Sequence, residues 1–210
     1  MNHRPVTSKE DSVRILLIGS TGHIGSAVHR SLSGSHDVIV ASRSTSPAVD
    51  IEDPTSIKAM FDAVGQVDAV VTTVGSVPFK TLDQLSRSDF LAGLGNKVLG
   101  QVEVVRQGLP YVTDGGSFTL TTGVVGREII RTGVAAAMAN GALEYFVPAA
   151  AAEAPRGVRI NAVSPTVLAE APSYHDTFPG FIPVPAATAA KAYVKSIEGI
   201  QTGQIFVVDR

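Results

Sequence analysis

Apolar positions in this chain come in short blocks separated by polar turns, and the blocks alternate between two periods. Val13-Arg14-Ile15-Leu16-Leu17-Ile18 is β-branched-rich and mostly apolar, which predicts a strand covered on both faces, as in a parallel sheet. Gly19 ends it. A helix is expected from about Gly22 to Leu32, stopped by Ser33-Gly34-Ser35. Asp37 to Ala41 reads as a second strand. Only Ser42 to Ala48 separates it from Val49-Asp50-Ile51, too short a link to hold a helix. Asp53-Pro54 opens a helix through about Val64, with the proline in its first turn. Val67 to Val74 is a further buried strand.

The second half repeats the alternation. A long helix is expected over Phe90 to Gly108, a strand over Ser117 to Thr121 after the Asp114-Gly115-Gly116 turn, and an Ala-rich helix from Gly133 to Glu153. Pro148 lacks a backbone donor and is expected to kink or divide that helix. A strand at Val158 to Val163, a Pro-rich loop from Thr166 to Pro185, a helix at Ala186 to Ile197 and a strand at Gln204 to Val208 complete the pattern. Strand–helix alternation of this kind implies a doubly wound parallel α/β sheet with right-handed crossovers.

Composition narrows the picture. With 210 residues, 44% of them hydrophobic, the chain suits one domain with a sizeable core. Residues 13–210 are read as that domain, and the polar stretch Met1 to Ser12 as a flexible arm without the apolar segment of a signal peptide. A net charge of −2 gives no footprint for nucleic acid. The absence of cysteine excludes disulfides and thiolate metal sites, so no metal is expected. No apolar run reaches the roughly 18 residues of a membrane span. The expectation is a cytoplasmic protein with a small-molecule substrate and neither nucleic-acid nor membrane partners.

The chemistry begins at Gly19-Ser20-Thr21-Gly22-His23-Ile24-Gly25, between the first strand and the first helix. Gly19 suits the tight turn, Gly22 a close approach of backbone to a pyrophosphate, and Gly25 the packing of helix on strand. A helix N-terminus there offers free N–H groups to phosphate. The second strand ends Ala41-Ser42-Arg43-Ser44, with no carboxylate to accept from a ribose 2′-hydroxyl. Arg43, with Ser42 and Ser44, is instead suited to a 2′-phosphate, which favours NADP(H). Asp50 and Ile51 are placed beside the adenine, and Val74 and Gly75 beside the ribose.

In these segments the chain resembles the short-chain dehydrogenase/reductase family. The resemblance rests on Gly19-x-x-Gly22-x-x-Gly25, on Thr72-Thr73-Val74-Gly75, on Arg159-Ile160-Asn161-Ala162-Val163-Ser164-Pro165, and on Thr202-Gly203-Gln204 with Asp209. It implies a Rossmann-type sheet of about seven parallel strands, here without the helix between strands two and three. It further implies a cofactor across the carboxyl ends, with Pro165, Val167 and Leu168 near the nicotinamide, and a homodimer or homotetramer built on the two long helices.

The resemblance also implies a Tyr-x-x-x-Lys pair on the Ala-rich helix, and the chain departs from it. Counted by spacing, Val134 stands at the tyrosine position, Met138 at the lysine position, Thr122 at the serine position, and Lys97 at the asparagine position, with Asn96 one residue away. Neither Val134 nor Met138 exchanges a proton. Three readings follow. The chain is an oxidoreductase with a displaced proton donor, Lys97 leading and Tyr174 or His175 of the loop as alternatives. Or it reduces a conjugated C=C or an imine with little acid help, Thr122 orienting the acceptor. Or it has lost redox chemistry and serves as a dinucleotide-binding sensor, scaffold, isomerase or cyclase. Thr122, Lys97 and Tyr174 are the candidate catalytic residues. Tyr174, Phe178 and Phe181 suggest a small apolar carbonyl, enone or imine. Thr166 replaces a usual glycine, and Glu170 a threonine near the diphosphate, which is expected to weaken phosphate binding.

Overall fold

The computed structural model describes residues 12–210, so all of the N-terminal arm except Ser12 lies outside the described residues. Six strands form one parallel sheet in the order β2-β1-β3-β4-β5-β6: β1 (Arg14–Ile18), β2 (Asp37–Ala41), β3 (Val67–Thr72), β4 (Val112–Thr121), β5 (Arg159–Pro165) and β6 (Ile205–Val208). The helices are α1 (His23–Leu32), α2 (Pro54–Val64), α3 (Arg87–Gly93), α4 (Gly100–Gly108), α5 (Val134–Glu153) and α6 (Ala186–Glu198).

The sheet is apolar on both sides because each strand feeds two cores at period two. On β1, Leu16 and Ile18 join the core beneath α2, α4 and α5, whereas Ile15 and Leu17 join the one beneath α1 and α6. Phe118 and Leu120 of β4 and Ile160 and Ala162 of β5 extend the first core; Val163, Tyr193 and Ile197 extend the second. Each such side chain, fully buried, contributes about 1.5–3 kcal/mol relative to exposure. The alternation therefore fixes the register strongly. Ile18 pairs with both Ala41 and Thr72, Thr121 with Val163, and Pro165 with Val208. The strands consequently end together along one edge of the sheet.

The count of about seven strands is corrected to six among the described residues. Between β2 and α2 the chain makes only a single Ser42↔Ala48 bridge, and Val49 to Ile51 form no strand. With so few linking residues the chain cannot cross to a new edge position. Val49 and Ile51 instead turn inward to the core.

Two features of the helices also depart from expectation. Pro148 does not divide α5, which runs unbroken through 20 residues. And the long helix expected over Phe90 to Gly108 starts earlier and is interrupted by a π-helical segment, Leu94–Leu99, between α3 and α4. Such an insertion re-aims side chains and is frequent at functional sites. No helix among the described residues is long and apolar enough to cross a membrane.

Candidate active site

Two cavities meet at the carboxyl edge of the sheet, both bordered by Gly75 and Ser76. The first, about 310 Å³, runs over the ends of β1 and β2 and is lined by Gly19, Thr21, Ser42, Arg43, Asp50, Ile51 and Val74 among others. The second, about 260 Å³, lies over the ends of β4 and β5. That volume falls below the roughly 300–1,000 Å³ of sites for drug-sized ligands, so its occupant is small.

The glycine turn of the first cavity has the shape expected from its spacing. Gly19 holds φ +94°, a conformation that L side chains rarely adopt. A Cβ at Gly25 would run into the Gly19 carbonyl oxygen, so α1 is seated directly against the turn. At Gly22, by contrast, a Cβ would meet no protein atom nearer than 3.9 Å, leaving open space in front of the helix N-terminus. Gly22 caps α1 without any side-chain hydrogen bond, so the first-turn N–H groups around His23 and Ile24 have no capping acceptor. Ser20 is half-buried beside them. This cradle fits a dinucleotide pyrophosphate. Farther out, Ser42 and Ser44 place their hydroxyls 3.3 Å apart next to the exposed Arg43. Asp50 is tied back by accepting from the Glu52 amide at 3.1 Å.

The π-helical segment sets the boundary between the cavities. Asn96 Oδ1 accepts from the Ser76 amide at 2.7 Å on one side, and Lys97 projects into the second cavity on the other. Gly75, at φ +132°, leaves room for the lysine stem: a Cβ there would lie 3.0 Å from Lys97 Cγ. Gln101, fully buried, braces the segment by donating to the Lys97 carbonyl (3.1 Å) and the Thr121 carbonyl (2.9 Å) and accepting from the Thr72 hydroxyl (2.6 Å). The ammonium of Lys97 has no counter-ion in reach among the described residues, and burial pushes its pKa down to about 8.

Thr122, Gly123, Val124, Val125 and Ala136 form the far wall, with Asn140 at its base. The Thr122 hydroxyl donates to Glu144 Oε1 at 3.0 Å, and that oxygen also accepts from Ser164 Oγ (2.9 Å) and Arg127 Nη1 (2.5 Å). With its hydrogen on Glu144, Thr122 turns only lone pairs to the cavity. Tyr174, on a 3₁₀ turn over the cavity, packs against Phe79 with ring centroids 5.8 Å apart, and Phe178 closes the floor of that turn. Phe181 stands behind Phe178 in an edge-on contact.

Several other expectations are revised. Val134 and Met138 do not face the cavity; each is 39% exposed on the outside of α5. The positions that line it are Ala136 and Asn140, two residues on. Neither the methyl of Ala136 nor the carboxamide of Asn140 exchanges a proton. Of the four tyrosines, Tyr174 alone borders the cavity. His175 is turned away, its Nε2 2.9 Å from the Leu168 carbonyl. Glu170 is held at the start of α6, where both its carboxylate oxygens accept from the Ala186 amide, at 3.0 and 2.9 Å. Pro165 and Val167 border the cavity, while Leu168 bridges to Val184 beside it. Asn140 and Glu144 went unnoticed in the sequence. Their signal was there, as two polar residues four apart in a helix with no other charged or amide side chain before Glu153 at its end.

Residues 30–209 match the family described as enoyl-(acyl carrier protein) reductase. The protein lin1944 from Listeria innocua is 45% identical and superposes with a TM-score of 0.92, over 94% of this chain and 100% of that one. A small-chain dehydrogenase is 29% identical over 95% of this chain and 97% of its own, with a TM-score of 0.82. Another, solved in complex with NADPH, is 27% identical over the same shares, with a TM-score of 0.85. No curated protein matches the chain.

Proposed function

Because the chain belongs to the short-chain dehydrogenase/reductase family, we propose that it is an NADP(H)-dependent oxidoreductase that reduces a small apolar carbonyl, enone or imine, with Lys97 as proton donor. The observation that carries this reading is the junction of the two cavities at Gly75 and Ser76, which sets Lys97 beside a dinucleotide cradle. A similar dehydrogenase that holds NADPH supports the choice of nucleotide.

In this reading the backbone from Gly19 to Gly25 holds the pyrophosphate, and Ser42, Arg43 and Ser44 hold the 2′-phosphate. Asp50 and Ile51 flank the adenine, Val74 and Gly75 the ribose, and Pro165, Val167 and Leu168 the nicotinamide end. NADPH, when bound, supplies a hydride to the acceptor carbon. As the C=O π pair moves onto oxygen, Lys97 Nζ gives that oxygen a proton and regains one from solvent. The apolar side chains of Val77, Phe79 and Phe178 exclude water and keep the ammonium desolvated, so that its acidity lies near working pH. Tyr174 covers the acceptor.

The test is a titration of bound nicotinamide fluorescence with NADPH and NADH on the wild type and on Arg43→Ala. NADPH is expected to bind more tightly than NADH. Arg43→Ala is expected to weaken NADPH by roughly tenfold or more, the scale of one charge-assisted hydrogen bond, and to leave NADH unchanged. Failure of both nucleotides to bind at millimolar concentration ends the oxidoreductase reading.

A homo-oligomer built on α5 belongs to the same reading. Val134, Met138, Ala142, Tyr145 and Ala149 follow one another at helical spacing on its outer face, all exposed and none charged, and Tyr145 is 84% exposed. A second copy presenting the same face would cover it. Tyr145→Glu should shift the mass measured by light scattering from oligomer to monomer; an unchanged mass places the interface elsewhere.

A further inference from the structure

Asn140 is 4% exposed, yet its Oδ1 has no hydrogen-bond partner, and the amide nitrogen makes no hydrogen bond within the described residues either. Buried carboxamides are ordinarily paired, and an orphan at the base of a cavity points to a partner supplied by a ligand. Asn140 lines the cavity, and its unpartnered Nδ2 is the donor that this position offers.

The charge of the cavity agrees. Lys97 is the one cationic side chain in its lining, and no carboxylate lines it. Glu144, the nearest acid on α5, is held behind the wall, where Thr122, Ser164 and Arg127 saturate Oε1. The cavity thus combines an uncompensated ammonium, an unpartnered amide and walls made by Val77, Phe79, Val125 and Phe178. A partly buried cation without a partner loses hydration that nothing repays, and the ligand that relieves it is an anion with an apolar body.

We propose that Lys97 and Asn140 form an oxyanion-binding site that takes the carboxylate of a small aromatic or aliphatic monoacid, and that the oxygen of a reducible substrate sits in the same place. Both donors line the one cavity from different helical segments, and negative charge develops on the acceptor oxygen during reduction, so a stable carboxylate imitates that state. Asn140 is then a second catalytic residue, stabilising charge where Lys97 supplies the proton. The proposal rests on the reading of this cavity as the acceptor site.

The experiment is isothermal titration of benzoate, benzamide and acetate into the full chain, with and without saturating NADP⁺. Benzoate is expected to bind at least about tenfold more tightly than its neutral isostere benzamide, reflecting one charge-assisted hydrogen bond. Acetate, lacking the apolar body, is expected to be weaker than benzoate. Lys97→Met should abolish the preference for benzoate, and Asn140→Ala should reduce benzoate affinity by about tenfold. The ligand series on the wild type decides the matter even if a variant fails to fold. Equal binding of benzoate and benzamide overturns the proposal. So does benzoate affinity unchanged by Lys97→Met, or displacement of benzoate by NADP⁺, which would place the anion in the phosphate cradle. If NADP⁺ itself does not bind while Lys97-dependent benzoate binding persists, the anion site stands and the dinucleotide reading falls.

Discussion

Lys97→Met is expected to leave NADPH binding intact and to slow reduction of the best acceptor by roughly 10²–10⁴-fold, the contribution typical of a positioned general acid. Methionine preserves the length and apolar stem of lysine, and that stem is what packs against Gly75. The change therefore removes the ammonium without opening a void. The measurement is the loss of nicotinamide absorbance under single-turnover conditions, against a panel of aldehydes, enones and cyclic imines. A rate equal to wild type would remove Lys97 from the chemistry and return the role of acid to Tyr174 or to solvent. The pH profile gives an independent reading. An acid must be protonated to act, and burial pushes the Lys97 pKa down from 10.5 to about 8. Reduction should accordingly be flat below about pH 8 and fall above it, about tenfold per unit, whereas oxidation of the corresponding alcohol, which needs the neutral amine as base, should rise by about tenfold per unit up to about pH 8 and level off above it. In Lys97→Met both slopes should vanish.

Gly25→Ala and Gly22→Ala are expected to separate stability from nucleotide binding. A Cβ at Gly25 meets the Gly19 carbonyl oxygen and lies 2.7 Å from Thr73 Oγ1, a hydroxyl that donates to the carbonyls of Ile18 (3.1 Å) and Gly19 (3.0 Å). Backbone atoms on a strand end have little room to give. The variant should lose about 1–3 kcal/mol or more in urea unfolding, together with NADPH binding. At Gly22 the same methyl enters open space, so unfolding should change by no more than about 1 kcal/mol, the scale of an N-cap exchange. NADPH binding should nonetheless collapse, because the methyl occupies the approach of the pyrophosphate. Gly22→Ala with undiminished NADPH affinity would mean that the turn is only structural.

The sequence alone determined the strand–helix order, the doubly wound sheet and the glycine cradle. These depend on local period and on residues close together in the chain: blocks such as Ile15 to Ile18 carry their own burial pattern, and Gly19 to Gly25 carry their own turn geometry. Counting against the pattern of the family it resembles also singled out Lys97, at the asparagine position. What it did not determine was which face of α5 meets the cavity. A shift of two residues along a helix turns a side chain by more than half a revolution, and counting across the 122–134 turn cannot fix that angle. The packing of α5 against β5, the 3₁₀ turn Val124–Gly126 and the π-helical segment fixed it, exchanging Val134 and Met138 for Ala136 and Asn140. Tertiary structure likewise decided that the Thr122 hydroxyl belongs to Glu144, that Glu170 caps α6, and that the edge strand beyond β2 is reduced to one bridge. Each of those outcomes depends on a partner many residues distant or on the room left at a sheet edge, and no local pattern encodes either.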